Sequence, residues 1–160
     1  MMQHPHGSMR RKDREITERK EIDAILSTSK VMHLALSADN VPFLVPLYFV
    51  YDGTAVYFHS AKVGTKIEIL RQNPLVCFEV CQELGFVEAD EACDFEARHR
   101  TVIGIGRAGF IEDYQEKTKI LKNIIARFTE REFDLPEGNV NRTAVVRIVI
   151  DSIRGKCHGV

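Results

Sequence analysis

Residues 41–60 read VPFLVPLYFVYDGTAVYFHS, and the fold class follows from this stretch. Two runs rich in β-forming residues, 41–51 and 54–60, are separated by Asp52 and Gly53. Asp-Gly between apolar runs is a strong hairpin signal, because both central positions of a two-residue turn of this type adopt positive φ. A third run, residues 30–37, precedes them across a polar turn. The three runs therefore predict an antiparallel β-meander.

The rest of the chain supplies three more strands and three helices. The further strand-like runs are 75–81, 98–111 and 143–151. Helices are predicted where Thr17, Thr65 and Asp113 can cap them, and the last two have Glu three residues later, which is capping-box spacing. Antiparallel pairing dominates this order of elements, and closure into a barrel is favoured because it removes exposed sheet edges.

Polar segments separate these elements. Residues 83–96 carry six carboxylates and are predicted as an acidic loop. Pro136 and Gly138 mark a second loop, and the residues after 151 are predicted as a short tail. The first eight residues are interpreted as an upstream or expression-derived segment, so that residues 9–160 form a single domain.

Composition excludes several classes of function. The 160 residues are 44% hydrophobic and 28% charged, which is typical of a globular domain, and the net charge of −1 offers no field that would attract nucleic acid. Apolar runs are only strand-sized, so no membrane span is predicted. The four cysteines have no paired-ligand spacing, which predicts reduced thiols in a cytoplasmic protein and no metal site.

Three glycines match the dinucleotide-binding pattern G-x-G-x-x-G: Gly104, Gly106 and Gly109. That motif functions only where the glycines end a strand and open a helix. Here β-forming residues flank them on both sides, so they are predicted to lie inside a strand. Glycines in that position indicate a bulge, a barrel corner or the close approach of another group.

A more promising site lies between residues 57 and 66. A strand ends near His59 and Ser60, and after a short turn a helix begins at Thr65 and Lys66. Such a junction gathers backbone N–H groups, a hydroxyl and an ammonium group, which together suit a phosphate. A capped surface helix with a solvated lysine fits the spacing equally well. His59 could donate a proton or stack on a ring, or it could be only a hydrogen-bonded surface histidine.

Two prolines, Pro42 and Pro46, have the same parity in the strand 41–51. Each removes a backbone donor, so the strand should have an unpaired edge on one side. A planar heterocycle could bond to that edge. A plain edge strand protected against aggregation is the alternative.

In this order and spacing the motifs resemble the FMN-binding split-barrel superfamily, and within it the nitroimidazole-resistance branch of the pyridoxamine 5'-phosphate oxidase-like proteins. The resemblance runs from Met9 to about Lys156. It is carried by residues 9–16, 45–49, 57–66, 73–80, 98–108 and 142–148.

The resemblance implies a mainly β structure, a six-stranded antiparallel split β-barrel with flanking helices, and FMN bound at a homodimer interface. It implies that the backbone of residues 45–47 contacts the flavin ring and that His59 is catalytic or tunes the flavin. The implied cofactor-binding residues are Val45, Pro46, Leu47, His59, Ser60, Thr65, Lys66 and Thr101.

The implied activity is that of a flavin-dependent oxidoreductase acting on a small molecule, such as the reduction of a 5-nitroimidazole. Pyridoxamine-phosphate oxidase activity itself is not expected, because Gly64, Thr65 and Lys66 stand where those enzymes carry a serine, an arginine and a lysine. FAD or a deazaflavin is an alternative cofactor. A flavin-binding or flavin-sequestering protein without turnover is the alternative function.

Overall fold

The computed structural model describes residues 5–160. Residues 1–4, half of the segment predicted to lie upstream of the domain, are outside the described residues. Within residues 5–160 the strands are β1 Glu15–Ile16, β2 Val31–Ala38, β3 Val41–Tyr48, β4 Val50–Tyr51, β5 Ala55–Ala61, β6 Leu75–Val87, β7 Glu96–Ile111 and β8 Thr143–His158. The α-helices are α1 Arg19–Thr28, α2 Thr65–Gln72, α3 Tyr114–Ala126 and α4 Glu137–Arg142. None of the helices described is both long and apolar enough to cross a membrane.

All strand pairs are antiparallel, in the order β3-β2-β6-β7-β8-β5-β4, with β1 added to β8. The strands at the two ends of this order, β3 and β4, are successive in the chain and are separated only by Phe49. The sheet therefore curls on itself, and β3 and β4 act as one bent strand that belongs to both of its edges. Counting β3 and β4 as that strand, and setting the two-residue β1 aside, six strands form the barrel, which confirms the predicted fold class.

The meander is present, but its turns differ from the prediction. Asp39 and Asn40 between β2 and β3 both have positive φ, 51° and 62°, as a two-residue hairpin turn requires. In the next hairpin Gly53 has positive φ and Asp52 does not. Asp52 instead accepts hydrogen bonds through Oδ1 from the backbone N–H groups of Thr54 and Ala55, each at 2.9 Å. The hairpin at Asp52-Gly53 was thus correctly located. The two consecutive residues with positive φ, however, lie in the preceding hairpin, at Asp39 and Asn40.

Apolar side chains from every strand of the barrel fill its interior, and α1 adds Ile22, Ile25 and Leu26. The opposite face of β5 and β8 is covered by α3, whose Ile120 and Ile124 pack there. Burying a side chain of this size stabilises the fold by about 1.5–3 kcal/mol. Both helices therefore bury apolar side chains against the sheet.

Only one of the three predicted helix caps forms. The carboxylate of Asp113 accepts a hydrogen bond from the backbone N–H of Glu116 at 2.7 Å, as predicted. The cap at Thr17 is wrong, because β1 holds the chain extended and α1 begins only after Glu18. The capping box at Thr65 is also wrong: Thr65 is already helical, and the residue at the cap position is a glycine without a side chain.

The final strands are longer than predicted. β8 continues through the predicted tail to His158. The register of its pairing with β7 shifts between Ile105 and Gly106, because β8 has one extra residue there, Asp151. Asp151 forms a β-bulge, and the pairing of the two strands continues beyond it. β6 likewise extends to Val87 into the predicted acidic loop. Residues predicted as a loop around Gly138 form α4, whose Val140 is buried.

Candidate functional site

The barrel is split between β3 and β5. β4 pairs with only the first part of β5, through Val50 and Tyr51, whereas β8 accompanies β5 as far as Ala61. The last residues of β5 therefore lack a strand partner on the side that faces β3. β3 in turn pairs only with β2, although it approaches β5. Two unpaired edges border the split, and the predicted free edge of the proline-containing strand is confirmed.

The register of β3 shows which backbone groups face the split. The N–H of Phe49 donates to the carbonyl of Lys30 at 3.2 Å, so odd-numbered residues of this strand bond to β2 and even-numbered residues face away. Pro42 and Pro46 are even-numbered, and their missing donors therefore cost no bond to β2.

The same alternation bears on the predicted ring contacts. Val45 and Leu47 use their ladder hydrogen bonds on β2, and their side chains pack against the core. A ligand at this edge would meet the carbonyl of Pro46 together with the N–H groups of Leu44 and Tyr48. The assignment of ring contacts to residues 45–47 stays a prediction.

The other wall of the split ends in a helix N-terminus. Gly64 precedes α2 with φ of 112°, a conformation that favours glycine, and no side chain caps the helix. Its carbonyl accepts from the N–H groups of Ile67 and Glu68, at 2.9 and 3.1 Å. The N–H groups of Thr65 and Lys66 have no partner inside the helix. They point outward at its positive end, where an anion is stabilised.

Lys66 and His59 lie close enough to interact. The Lys66 ammonium lies 5.5 Å from the centroid of the Phe58 ring, and burial lowers the pKa of Lys66. In the described part of the chain Lys66 forms no ion pair. Desolvation, and then the charge of Lys66, lowers the pKa of His59 below its ordinary value of 6.5. His59 keeps contact with solvent, and the lowered pKa favours its neutral form.

Thr101 is not part of this group. Ile111 of β7 and His59 of β5 both pair with Val145 of β8, which places them at the same level of the barrel. Thr101 lies ten residues back along β7, a separation of about 30 Å at the rise of a β-strand. One chain thus brings His59, Ser60, Thr65 and Lys66 together beside the split, and leaves Thr101 at the far end.

The cavities described next lie away from the split, and none of them is lined by His59, Ser60, Thr65 or Lys66. Thr101 borders a cavity of about 310 Å³ together with the N-terminal arm, including Arg10 and Arg11. A larger cavity, of about 670 Å³, lies between the end of α3 and residues 129–134, and no predicted site residue lines it.

The sequence analysis did not associate two lysines whose charges the fold brings near each other. Lys62 lies in the turn before α2, and Lys117 lies on α3, where burial and the nearby charge of Lys62 lower its pKa. No spacing signal links residues 55 positions apart, so only the fold reveals this pair.

The sheet order, the bent strand and the split define a barrel of the type found in pyridoxamine 5'-phosphate oxidase-like proteins. The sequence pattern of the family described as pyridoxamine 5'-phosphate oxidase matches residues 18–157, and the chain belongs to this family.

Several solved structures share the fold over most of the chain. A candidate 5-nitroimidazole antibiotic resistance protein from Bacteroides thetaiotaomicron is 27% identical, with a TM-score of 0.79, over 89% of this chain and 86% of that one. A flavocytochrome from Azotobacter vinelandii is 25% identical, with a TM-score of 0.85, over 96% of this chain and 73% of that one. An FAD and heme binding protein from Mycobacterium smegmatis, 20% identical with a TM-score of 0.83 over 92% and 74%, shows the shared fold alone.

An uncharacterized protein from Rhizobium meliloti is a more limited match. It is 27% identical over 67 residues, which is 42% of this chain. The matched stretch spans 44% of that relative.

Proposed function

We propose that this chain binds the FMN moiety of a flavin in the split and, as a homodimer, reduces small electrophiles such as 5-nitroimidazoles. The observation that carries the proposal is the split itself. One wall offers unpaired backbone groups to a planar heterocycle, and the other ends in an uncapped helix N-terminus beside an unpaired lysine. The relative linked to 5-nitroimidazole resistance and the flavocytochrome support the same function.

The residues around the split fit a ring with a phosphate tail. The N–H groups of Thr65 and Lys66 and the Lys66 ammonium would hold the phosphate, because they place positive charge at one point with no carboxylate bonded to it. The free groups of Leu44, Pro46 and Tyr48 would orient the ring edge. A bound flavin would supply the electron transfer, for which none of these side chains is suited.

His59 would act on the substrate side. A neutral imidazole donates one hydrogen bond and accepts another, and it can also stack on a ring. Because desolvation and Lys66 lower the pKa of His59 and so favour its neutral form, positioning an electrophile suits it better than delivering a proton from the imidazolium form.

Two features support a homodimer. Thr101, predicted to contact the flavin, lies at the opposite end of the barrel from Lys66, so one site can contain both residues only if a second copy contributes Thr101. The outer face of the sheet is also apolar and exposed, with Leu44 63% and Tyr48 54% accessible. Exposed apolar surface of this kind is typical of protein interfaces.

Flavin binding is tested on protein purified without added cofactor. We expect a flavin spectrum, and a flavin released on denaturation in one copy per chain. Lys66→Ala should weaken flavin affinity about 10–100-fold, the value of one charge-assisted hydrogen bond. Lys20→Ala is the matched control, because Lys20 is also the second residue of its helix and is exposed. Apo protein that binds no flavin would refute the proposal.

Turnover is tested separately, with a reduced nicotinamide as donor and a 5-nitroimidazole as acceptor. Loss of nitro-group absorbance in proportion to protein concentration is the expected result. Tight flavin binding without turnover under any donor would instead support the alternative, a flavin-sequestering protein.

The shared site is tested by subunit mixing. Light scattering should give twice the chain mass of 18.2 kDa, and a monomer would contradict the homodimer. Lys66→Ala and Thr101→Val homodimers should each bind flavin weakly. Heterodimers of the two would contain one site with both changes and one with neither, so mixing should restore tight binding to half of the sites in the heterodimers. No recovery after verified exchange would show that each chain builds its own site.

A further inference from the structure

The N-terminal arm, residues 6–14, lies against β7 and β8 and borders a cavity of about 310 Å³ there. Three contacts hold the arm in place. β1, which follows it directly, pairs with β8. Arg14 forms an ion pair with Glu96 at 3.7 Å, and the Arg154 guanidinium donates a hydrogen bond to the carbonyl of Gly7 at 3.3 Å. The cavity is therefore bounded by segments that the fold fixes on both sides.

Two cross-strand pairs form the wall of the cavity that belongs to the sheet. Thr101 pairs with Lys156, and Ile103 pairs with Arg154. Residues two apart in a strand share a face, so these four side chains lie on one face of the sheet. All four line the cavity. Each pair therefore brings one cation to the same wall.

The arm adds Arg10 and Arg11, and no carboxylate of residues 5–160 lines the cavity. Arg11 already has a counterion, because its guanidinium donates to both carboxylate oxygens of Asp13, at 2.9 and 2.6 Å. The Arg10 side chain forms no hydrogen bond or ion pair within residues 5–160. Arg10 is therefore the cation that the arm contributes without a partner.

The cations of the sheet wall are not neutralised either. Glu15 lies opposite Lys156 in the β1–β8 pair, but the two form no ion pair. Arg154 bonds to a backbone carbonyl and, in the described part of the chain, to no carboxylate. Arg10, Arg154 and Lys156 thus place three cations around one space. Like charges gathered in this way repel one another, and an anion bound between them relieves the repulsion.

We infer that this cavity binds a small dianion whose charge lies on oxygen atoms, a phosphate or a dicarboxylate, with Arg10, Arg154 and Lys156 as its ligands. Guanidinium groups suit such anions, because their planar N–H forks match two oxygens at once. Met9 and Ile103 add apolar surface for the body of the ligand. The volume is at the lower end of the range of about 300–1,000 Å³ that is typical of ligand pockets, which favours a compact ligand.

This site is separate from the one proposed for the flavin. In one chain Thr101 and Lys66 lie at opposite ends of the barrel, so an anion in the cavity is not the phosphate that the N-terminus of α2 would hold. The inference therefore goes beyond the proposed function and requires no bound flavin.

The test is a titration of the ¹⁵N-labelled protein with inorganic phosphate, followed by NMR. The amide signals of Thr101 and Ile103 should shift and reach saturation. Arg10→Gln and Lys156→Gln should each weaken phosphate binding about tenfold, the effect of losing one charge-assisted hydrogen bond. Because Arg10 is exposed, its replacement should leave thermal stability unchanged. Lys12→Gln is the matched control, since Lys12 is also exposed in the arm but does not line the cavity.

Two further anions test the chemistry of the ligand. Succinate, a dicarboxylate, should shift the same signals, and whichever of succinate and phosphate binds more tightly identifies the source of the two charges. Acetate has a single charge and should bind about tenfold more weakly than the tighter of the two. Acetate that bound equally well would refute a site for a dianion.

Three results would refute the site itself. The first is a set of phosphate-induced shifts confined to the residues that begin α2. The second is equal phosphate affinity in the Arg10→Gln and Lys12→Gln variants. The third is displacement of phosphate from the cavity by FMN, which would make the cavity part of the flavin site. Failure of the unmodified chain to bind any flavin would refute the proposed function and leave the anion site standing if phosphate still bound.

Discussion

Gly104→Ala should destabilise the barrel, although it adds only a methyl group. Gly104 lies directly opposite Phe78 in the β6–β7 pair. A Cβ atom built on Gly104 would lie 2.2 Å from Cζ and 2.4 Å from Cε1 of that ring. The glycine therefore exists to admit an aromatic ring into the barrel interior, and this explains one of the glycines in the apparent dinucleotide motif.

The size of the effect follows from the geometry. Carbon atoms in contact prefer about 3.5–4.0 Å, so the ring would have to withdraw by more than about 1 Å. Phe78 is fully buried among core side chains, so its ring cannot simply swing out into solvent. Overpacking of this kind costs about 1–3 kcal/mol. For a chain of this length, each kcal/mol lowers Tm by roughly 2–4 °C.

Urea unfolding followed by circular dichroism measures the loss. Gly109→Ala is the matched control, because Gly109 is in the same strand and no atom lies within 4 Å of its added Cβ. It should be neutral or stabilising by up to about 1 kcal/mol, the usual gain over glycine in a strand. Phe78→Leu should recover part of the stability in the Gly104→Ala background. Equal stability of the two alanine variants would refute the packing argument.

Three further changes test the fold and the site. Asp113→Ala removes the cap on the Glu116 N–H and should cost about 1 kcal/mol in thermal unfolding, whereas an unchanged Tm would show that the cap contributes nothing. Tyr51→Phe removes a hydroxyl that donates to Asp23 at 2.6 Å, and should cost about 0.5–1.5 kcal/mol in urea unfolding. The lowered pKa of His59 means that the unfolded chain binds this proton more tightly, so stability falls as pH drops through 6.5, and His59→Gln should lessen that fall. If the difference in Tm between the His59→Gln variant and the unmodified chain were the same at every pH, the lowered pKa of His59 would be contradicted.

Local chemistry made much of the fold predictable. Pro42 and Pro46 cannot donate to a ladder whatever surrounds them, so an unpaired edge could be inferred from two residues. The glycines around Gly106 had to lie inside a strand, because β-forming residues flank them, and the bulge found there agrees with that interpretation. Such features depend on backbone geometry that a short stretch of sequence determines.

Features that depend on distant contacts were not predictable. Asp151 appeared to end a strand, and only the register of β7 shows that it is a bulge within a longer one. Thr101 and Lys66 were grouped by resemblance, whereas the topology separates them by most of the barrel length. Lys117 looked like one of several helix lysines until the packing of α3 buried its stem.

Closure of the barrel and formation of the split have one cause. Phe49, 1% exposed, anchors the chain in the core at the point where it leaves β2 and joins β5. Before that point the even-numbered residues of β3 face away from β2, and Pro46 among them has no N–H to give to β5. A strand that paired with both neighbours along its whole length would close the barrel fully and leave no backbone group for a ligand. Pro46, which cannot donate to β5, therefore lies at the edge to which the proposed function assigns the flavin ring.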